Sequence, residues 1–198
     1  MEKWDEFKKS VLNSGKNRER GLEIVVGQDL LKIIKNSKLF MIGAGAIGCE
    51  LLKNFAMIGL GTGEKGKITL TDPDHIENSN LNRQFLFREK HISKPKSRTA
   101  AASILLMNPE LKGHISALLE RVSEDTKNIF SNNFFESLTI VANALDNVAA
   151  RRYVDQRCVE NKVPLFESGT LGPKGHTQVI LPYKTESYGS QNDPVEDG

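Results

Sequence analysis

Short runs rich in hydrophobic residues recur along the chain from residue 39 onward, separated by longer stretches with a helical spacing of hydrophobic positions. The runs cover residues 39–42, 67–70, 115–119, 138–141 and 163–166. Runs of this length are typical of parallel strands that are buried on both faces. Because helical stretches lie between them, the pattern predicts an α/β fold, namely a doubly wound, Rossmann-like, mostly parallel sheet with helices on both faces.

Three helices are predicted between these strands. The first is marked by hydrophobic residues three and four positions apart, namely Ile47, Leu51, Phe55 and Ile58. The second covers residues 96–107, with Pro95 in its first turn and Asn108-Pro109 at its end. The third covers residues 147–161. Residues 177–181 follow a glycine-rich segment and indicate an antiparallel hairpin strand, so we predict antiparallel strands at the edges of the sheet.

The two ends of the chain differ from this central domain, which is predicted to span residues 38–183. Residues 1–37 predict an N-terminal helical segment that includes a short helix after Gln28, capped by Asp29. Residues 184–198 are acidic and show no hydrophobic period, which is typical of a linker or tail.

Composition narrows the classes of function. The 27 Lys and Arg residues nearly balance 25 Asp and Glu residues, so the net charge of +2 does not favour binding to nucleic acid. Cys49 and Cys158 are far apart and form no C-x-x-C pair, which argues against a disulfide scaffold, a redox pair or a zinc site. We find no membrane-length hydrophobic run and no secretory signal, and we therefore expect a cytoplasmic and nuclear protein with no membrane partner.

A G-x-G-x-x-G motif formed by Gly43, Gly45 and Gly48 lies between the first predicted strand and its helix. In this position the glycines allow a tight turn, close approach of the backbone to a phosphate, and close packing of the helix. The alternative is a purely structural glycine turn. Asp72 ends the second strand, where a ribose-binding carboxylate belongs, although it also fits a turn over residues 72–74. A nicotinamide-dependent dehydrogenase would satisfy all of these features.

A second group of residues has no role in a dehydrogenase. Residues 78–87 contain Arg83, and Lys96 follows at the start of the second helix. An arginine fork and a compact ammonium together suit a triphosphate. Asp146 ends a buried strand at the ligand-binding edge of the sheet, where a carboxylate can hold Mg²⁺. Taken singly, the two cations also fit solvated surface residues, and Asp146 also fits a cap for the helix that begins at Asn147.

These segments resemble the adenylation domains of ubiquitin-activating enzymes and of the bacterial relatives that activate sulfur-carrier proteins. The resemblance covers residues 18–196 and is carried by residues 43–59, 79–88 and 167–172, with residues 185–188 and 193–194 similar to the crossover toward the catalytic-cysteine domain. It is greatest to the second, catalytically active adenylation half of the eukaryotic enzymes. The bacterial relatives usually carry two C-x-x-C pairs, which this chain lacks.

The resemblance implies an ATP site in which the reacting groups are bound by Arg83, Lys96 and Asp146, the last as the Mg²⁺ ligand. The implied nucleotide-binding positions are Gly43, Gly45, Ala46 and Gly48 in the loop, Asp72 on the ribose, Asn80 and Arg83 near the phosphates with Gln84 beside Arg83, Lys96 on the phosphates, and Asp146 on Mg²⁺ with Asn147 adjoining it. Arg18 aligns with a family arginine that reaches the opposite half. Its neighbours Glu19 and Leu22 differ from the family pattern, so we interpret Arg18 as a solvated helix arginine.

The implied activity is ATP-dependent adenylation of the C-terminal glycine of ubiquitin or a ubiquitin-like protein. The implied partners are that carrier, the inactive adenylation half and catalytic-cysteine domain of a longer protein, and conjugating enzymes. Cys49 and Cys158 match no family nucleophile, so we expect the thioester-forming cysteine outside this chain and interpret both residues as buried and apolar. The alternatives are an NAD-dependent oxidoreductase and a non-catalytic scaffold half.

Overall fold

Six strands form one sheet in the computed structural model, which describes residues 18–171 and 174–190 of the 198-residue chain. The strands are β1 (Lys38–Ile42), β2 (Lys67–Thr71), β3 (Ile115–Leu118), β4 (Ile140–Asn143), β5 (Leu165–Leu171) and β6 (Lys174–Ile180). Their order is β3-β2-β1-β4-β5-β6. All neighbouring pairs are parallel except β5 and β6, which are antiparallel.

The α-helices of the described residues precede or connect these strands. They are α1 (Arg20–Val26), α2 (Gln28–Asn36), α3 (Ala46–Met57), α4 (Lys96–Met107), α5 (Asn132–Glu136) and α6 (Val148–Glu160). Short 3-10 helices lie at Asn78–Asn80, Glu89–His91, Pro109–Leu111 and Glu124–Thr126. None of the helices described in residues 18–171 and 174–190 combines the length and hydrophobicity needed to cross a bilayer.

Hydrophobic cores cover both faces of the sheet. Leu39 and Met41 of β1 pack in one core with residues of α3 and α4, including Cys49 and Ile104. The alternate β1 residues, such as Phe40, belong to a second core that contains residues of α5 and α6. Because successive side chains of a strand point to opposite faces, this division confirms the predicted doubly wound α/β fold.

Several predicted boundaries differ from the observed ones. The third helix is Val148–Glu160 rather than 147–161, and β4 and β5 each begin two residues later than predicted. The two predicted residues before β4 form its connection, since the Leu138 amide donates to the Phe135 carbonyl of α5. The second helix has the predicted bounds, but Pro95 is its N-cap and does not lie in its first turn. Only β6 is antiparallel among the described strands, because the opposite edge, β3, pairs in parallel.

The N-terminal segment contains α1, which the sequence pattern did not predict, and α2. The predicted cap is wrong, because Gly27 is the N-cap of α2 and Asp29 lies in the first turn. Residues 1–17 and 191–198 lie outside the described residues. Near the other end, the amides of Tyr188 and Gly189 donate to the Asp155 carboxylate, so this part of the predicted tail contacts α6. The three-part division at residues 37 and 183 stays a prediction.

Candidate functional site

A cavity of about 710 Å³ lies at the carboxyl ends of β1, β2 and β4. The chain leaves β1 toward β2 on one side and leaves β4 toward β5 on the other, which creates the crevice where ligands bind in such sheets. All but one of the predicted nucleotide-binding positions line it, namely Gly43, Gly45, Ala46, Asp72, Asn80, Arg83, Gln84, Lys96, Asp146 and Asn147. Gly48 is not among the lining residues.

The glycine loop is shaped by close contact with the loop after β4. Gly43 has a φ of +99°, and a Cβ there would lie 2.5 Å from the Ala144 carbonyl oxygen. A Cβ on Gly48 would lie 2.3 Å from the Gly43 carbonyl oxygen, so Gly48 allows α3 to start against the loop. Gly45 is the N-cap of α3 and provides no side-chain cap. The N-terminus of this helix therefore faces the cavity as a potential anion site.

Asp72 joins the end of β2 to the glycine loop. It is buried, and its Oδ2 accepts a hydrogen bond from the Ala44 amide at 2.6 Å, while Oδ1 accepts from the Asp74 amide at 2.8 Å. Burial raises the pKa of this carboxyl, and the two amide donors oppose that effect. Asp72 therefore accepts a hydrogen bond from the amide two residues further on, although the backbone over residues 72–74 forms no turn, and ribose binding by Asp72 stays a prediction.

The two predicted phosphate-binding cations differ in their surroundings. Lys96 begins α4, and its buried Nζ lies 2.9 Å from Asp74 Oδ2. Arg83 is exposed, and its guanidinium donates to the Ser79 carbonyl at 2.8 Å. Lys96 is thus held by a carboxylate, whereas the Arg83 guanidinium, at the cavity, donates to a backbone carbonyl and to Asn82 Oδ1 at 3.2 Å.

Two amide side chains complete this side of the cavity. Asn80 is buried and its Oδ1 accepts from the Glu77 amide at 3.0 Å, which fixes the turn that presents Arg83. Gln84 is also buried, and its Oε1 has no hydrogen-bond partner among the described residues. A Cβ on Gly45 would lie 4.0 Å from Gln84 Nε2, so this amide faces the glycine loop. A buried polar atom without a partner at a cavity wall fits the hydrogen-bonding needs of a polar ligand.

Asp146 and Asn147 follow β4 on the opposite wall. Asn147 is the N-cap of α6, because its Oδ1 accepts from the Ala150 amide at 2.8 Å. The cap is therefore Asn147, and Asp146 remains exposed at the cavity. Within residues 18–171 and 174–190 no group of three or more His, Cys, Asp or Glu side chains forms a metal site by itself. A Mg²⁺ ion held by one carboxylate, phosphate oxygens and water needs no such group.

The cavity has further lining residues that were not predicted from the sequence, among them Glu120, Arg121, Val122, Glu124, Leu145, Arg151, Tyr153 and Thr170. Residues 120–124 follow β3, so their position after a parallel strand was an available signal. Arg151 lies four residues after Asn147, and this spacing places the two residues on one face of the helix.

A second cavity of about 640 Å³ adjoins the first. It lies between α3 and the β5–β6 hairpin and is lined on the sheet side by residues such as Phe166, Gly169 and His176. Ala46, Ile47, Arg83 and Thr170 line both cavities. A ligand bound in the second cavity can therefore reach the glycine loop of the first.

Three residues that we interpreted as structural are confirmed or corrected. Cys49 and Cys158 are fully buried in the two cores, as predicted, and burial raises the pKa of the Cys49 thiol to about 11. Arg18 is exposed as predicted, but it lies in a turn before α1 and donates to the Met107 carbonyl at 2.5 Å.

Comparison with known proteins identifies the family. The model of the ThiF family matches residues 17–197. The chain belongs to the ThiF family. Among curated relatives, ubiquitin-activating enzyme E1 1 of Candida albicans (strain WO-1) is 56% identical over 180 residues, and ubiquitin-like modifier-activating enzyme 1 of Homo sapiens is equally similar. Ubiquitin-like modifier-activating enzyme 6 of Mus musculus is 54% identical over 182 residues.

These relatives are much longer than the chain. Each alignment covers 91% of the chain but only 17–18% of the relative. Among solved structures, E. coli MccB with MccA-N7isoASN matches with a TM-score of 0.69 and 26% identity, covering 80% of this chain and 44% of MccB. A second MccB structure, with succinimide, has a TM-score of 0.74 at 24% identity, covers 88% of this chain and 51% of MccB, and supports the fold. The predicted fold and the predicted resemblance are confirmed.

Proposed function

We propose that this ThiF-family chain provides the ATP·Mg²⁺ site at which the C-terminal glycine carboxylate of ubiquitin, or of a ubiquitin-like protein, is adenylated. The main support is that Arg83, Lys96 and Asp146, which are distant in the sequence, line one cavity together with the glycine loop. The names of the 54–56% identical relatives support ubiquitin or a close relative of it as the carrier.

The charge of the cavity supports a nucleotide bound together with a metal ion. Four cationic side chains line it, namely Arg83, Lys96, Arg121 and Arg151, and five carboxyl groups do, namely Asp72, Asp74, Glu120, Glu124 and Asp146. This lining has no excess of positive charge for a triphosphate. A divalent cation would offset the phosphate charge, and Asp146 is the exposed carboxylate that we propose holds it.

The proposed reaction needs positioning more than acid–base catalysis. A glycine carboxylate is ionised at neutral pH, so its oxygen can attack the α-phosphorus of ATP directly, with pyrophosphate as the leaving group and an acyl-adenylate as the product. In this proposal Arg83 and Lys96 stabilise the charge that grows on the phosphates, and Asp72 orients the ribose. The second cavity would admit the extended tail of the carrier, because it opens to the glycine loop beside Arg83.

The other predicted roles follow from the same proposal. The carrier's globular body, the inactive adenylation half, the catalytic-cysteine domain and the conjugating enzymes would be contacted within a longer protein that acts in the cytoplasm and nucleus. An NAD-dependent activity would leave the arrangement of Asn80, Arg83 and Gln84 around the glycine loop without a role.

A thermal-shift titration tests the nucleotide site. The chain and its Asp146→Ala variant are titrated with ATP plus Mg²⁺, with ATP plus chelator, and with NAD. A ligand at about 100 times its dissociation constant adds about 2.7 kcal/mol to the free energy of unfolding. We expect a Mg²⁺-dependent ATP shift in the native chain that Asp146→Ala loses. Asp29→Ala, which removes an exposed carboxylate on α2 outside the cavity lining, should retain it.

Three results would contradict the proposal. They are a shift with NAD alone, an equal ATP shift with and without Mg²⁺, or a full Mg²⁺-dependent shift in Asp146→Ala. If ATP binds as expected, the carrier is identified by mixing the chain with ubiquitin or ubiquitin-like proteins and measuring pyrophosphate release.

A further inference from the structure

A buried polar network lies next to the loop that carries Asp146. Glu167 of β5 is fully buried, and its Oε2 accepts a hydrogen bond from Asn143 Nδ2 of β4 at 2.7 Å. Its Oε1 lies 3.4 Å from Arg151 Nη1 of α6, and the Arg151 side chain is only 10% exposed. A buried ion pair contributes little net stability compared with hydrophobic packing, so the groups that it orients are of greater interest.

Arg151 binds the backbone immediately before Asp146. Its Nε and Nη2 both donate to the Leu145 carbonyl oxygen, at 3.1 and 2.5 Å. The peptide group that joins Leu145 to Asp146 is therefore held by a planar fork, which restricts its rotation. Since the direction of the Asp146 side chain depends on that peptide group, Arg151 restricts Asp146 without contacting its carboxylate.

The position of the guanidinium depends on Gly169. A Cβ on Gly169 would lie 2.2 Å from Arg151 Nη1 and 2.3 Å from Nη2. The fork therefore occupies the space that any other residue at position 169 would fill. Because the atoms in conflict are the end of a flexible side chain, a methyl group there would move the guanidinium and leave the backbone in place.

We propose that Arg151, held by Glu167 and accommodated by Gly169, is a positioning residue that sets the Leu145–Asp146 peptide group for binding of the nucleotide-bound metal. This inference rests on the function proposed above. Hydrogen-bond partners that orient a metal ligand typically contribute about 10–100-fold to metal affinity or activity.

Calorimetric titration of the full chain with ATP tests the inference, in the presence of Mg²⁺ and of a chelator. The quantity measured is the Mg²⁺ enhancement, which is the dissociation constant in chelator divided by that in Mg²⁺. Arg151→Lys keeps the charge but removes the fork, and we expect it to lower the enhancement about 10–100-fold while the dissociation constant in chelator changes little. Glu167→Gln and Gly169→Ala should also lower the Mg²⁺ enhancement.

A matched arginine-to-lysine control accompanies Arg151→Lys. Arg152→Lys makes the same exchange at the adjacent exposed position and should leave the enhancement unchanged. An enhancement in Arg151→Lys equal to that of the native chain would overturn this inference alone. An equal loss of affinity with and without Mg²⁺ would show that Arg151 contacts the nucleotide directly, which also overturns it.

Two further results distinguish failure of the proposed function from failure of the inference about Arg151. A native chain that shows no Mg²⁺ enhancement would overturn the proposed function itself. Circular dichroism checks the fold of each variant. Gly169→Ala keeps both buried charges, so this variant tests the role of the guanidinium if Glu167→Gln does not fold. A normal enhancement in a folded Gly169→Ala variant would contradict the link between the guanidinium and the metal site.

Discussion

Replacement of Gly43 by alanine tests whether the loops after β1 and β4 are packed as closely as the structure shows. The added Cβ would lie 2.5 Å from the Ala144 carbonyl oxygen, and the φ of +99° is one that alanine rarely adopts. The matched control is Gly113→Ala. Gly113 has a φ of +86°, but an added Cβ there would meet no atom within 4 Å.

The expected loss of stability separates into two terms. A positive φ costs a residue with a side chain about 1–3 kcal/mol, and both variants share this term. Overpacking costs a further ~1–3 kcal/mol, and it applies only to Gly43→Ala because the atom in conflict belongs to the backbone and cannot rotate away. We therefore expect Gly43→Ala to lose about 1–3 kcal/mol more than Gly113→Ala, which is a large share of the typical 5–15 kcal/mol of a domain.

Urea unfolding followed by far-UV circular dichroism measures this difference. With a slope of about 2 kcal/mol per molar urea, an extra loss of 2 kcal/mol lowers the midpoint by about 1 M. Gly43→Ala should also weaken ATP binding, because relief of the conflict separates the glycine loop from the loop that carries Asp146. Equal losses in the two variants would refute the close packing of the two loops.

Three other predictions are independent of that one. Gly45→Ala should lower the free energy of unfolding by only about 1 kcal/mol, because alanine is a poorer N-cap than glycine but its Cβ would meet nothing closer than Gln84 Nε2 at 4.0 Å. It should still weaken ATP·Mg²⁺ binding because that Cβ enters the cavity, and unchanged affinity by calorimetry would contradict this. Cys49 and Cys158 should not react with a thiol reagent at pH 8 until urea is added, because both thiols are buried and burial raises the pKa of Cys49 to about 11. Rapid reaction of the native chain with the reagent would show that the thiols are accessible at the surface. Burial raises the pKa of Glu167, so the folded state keeps the carboxyl proton to a higher pH than the unfolded state does. Measured by urea unfolding, the free energy of unfolding of the native chain relative to that of Glu167→Gln should therefore fall as the pH rises above about 4.3. If this free-energy difference rises with pH instead, the pKa of Glu167 is shifted in the opposite direction.

Local patterns in the sequence determined most of the elements. The hydrophobic runs predicted the parallel strands, because burial on both faces leaves a continuous run that a single segment reveals. The helix at residues 96–107 has the predicted bounds because Pro95 and Asn108-Pro109 mark its two ends. Helices α1 and α5, which have seven and five residues, were not predicted, since helices this short contain too few turns for a period to be visible. The glycine loop, Lys96 and Asp146 were likewise predicted as cavity residues from their positions at strand ends and helix starts.

Only the tertiary structure decided which distant groups meet. The contact between Gly43 and Ala144 exists because β1 and β4 are neighbours in the sheet, although about a hundred residues separate them in the chain. The hydrogen bond from the Ala44 amide to Asp72 and the pairing of Arg151 with Glu167 depend on strand order and register in the same way. A sequence pattern reports how each segment buries its own faces. It does not report which segment becomes the neighbour, and that choice places Arg151 against the backbone before Asp146.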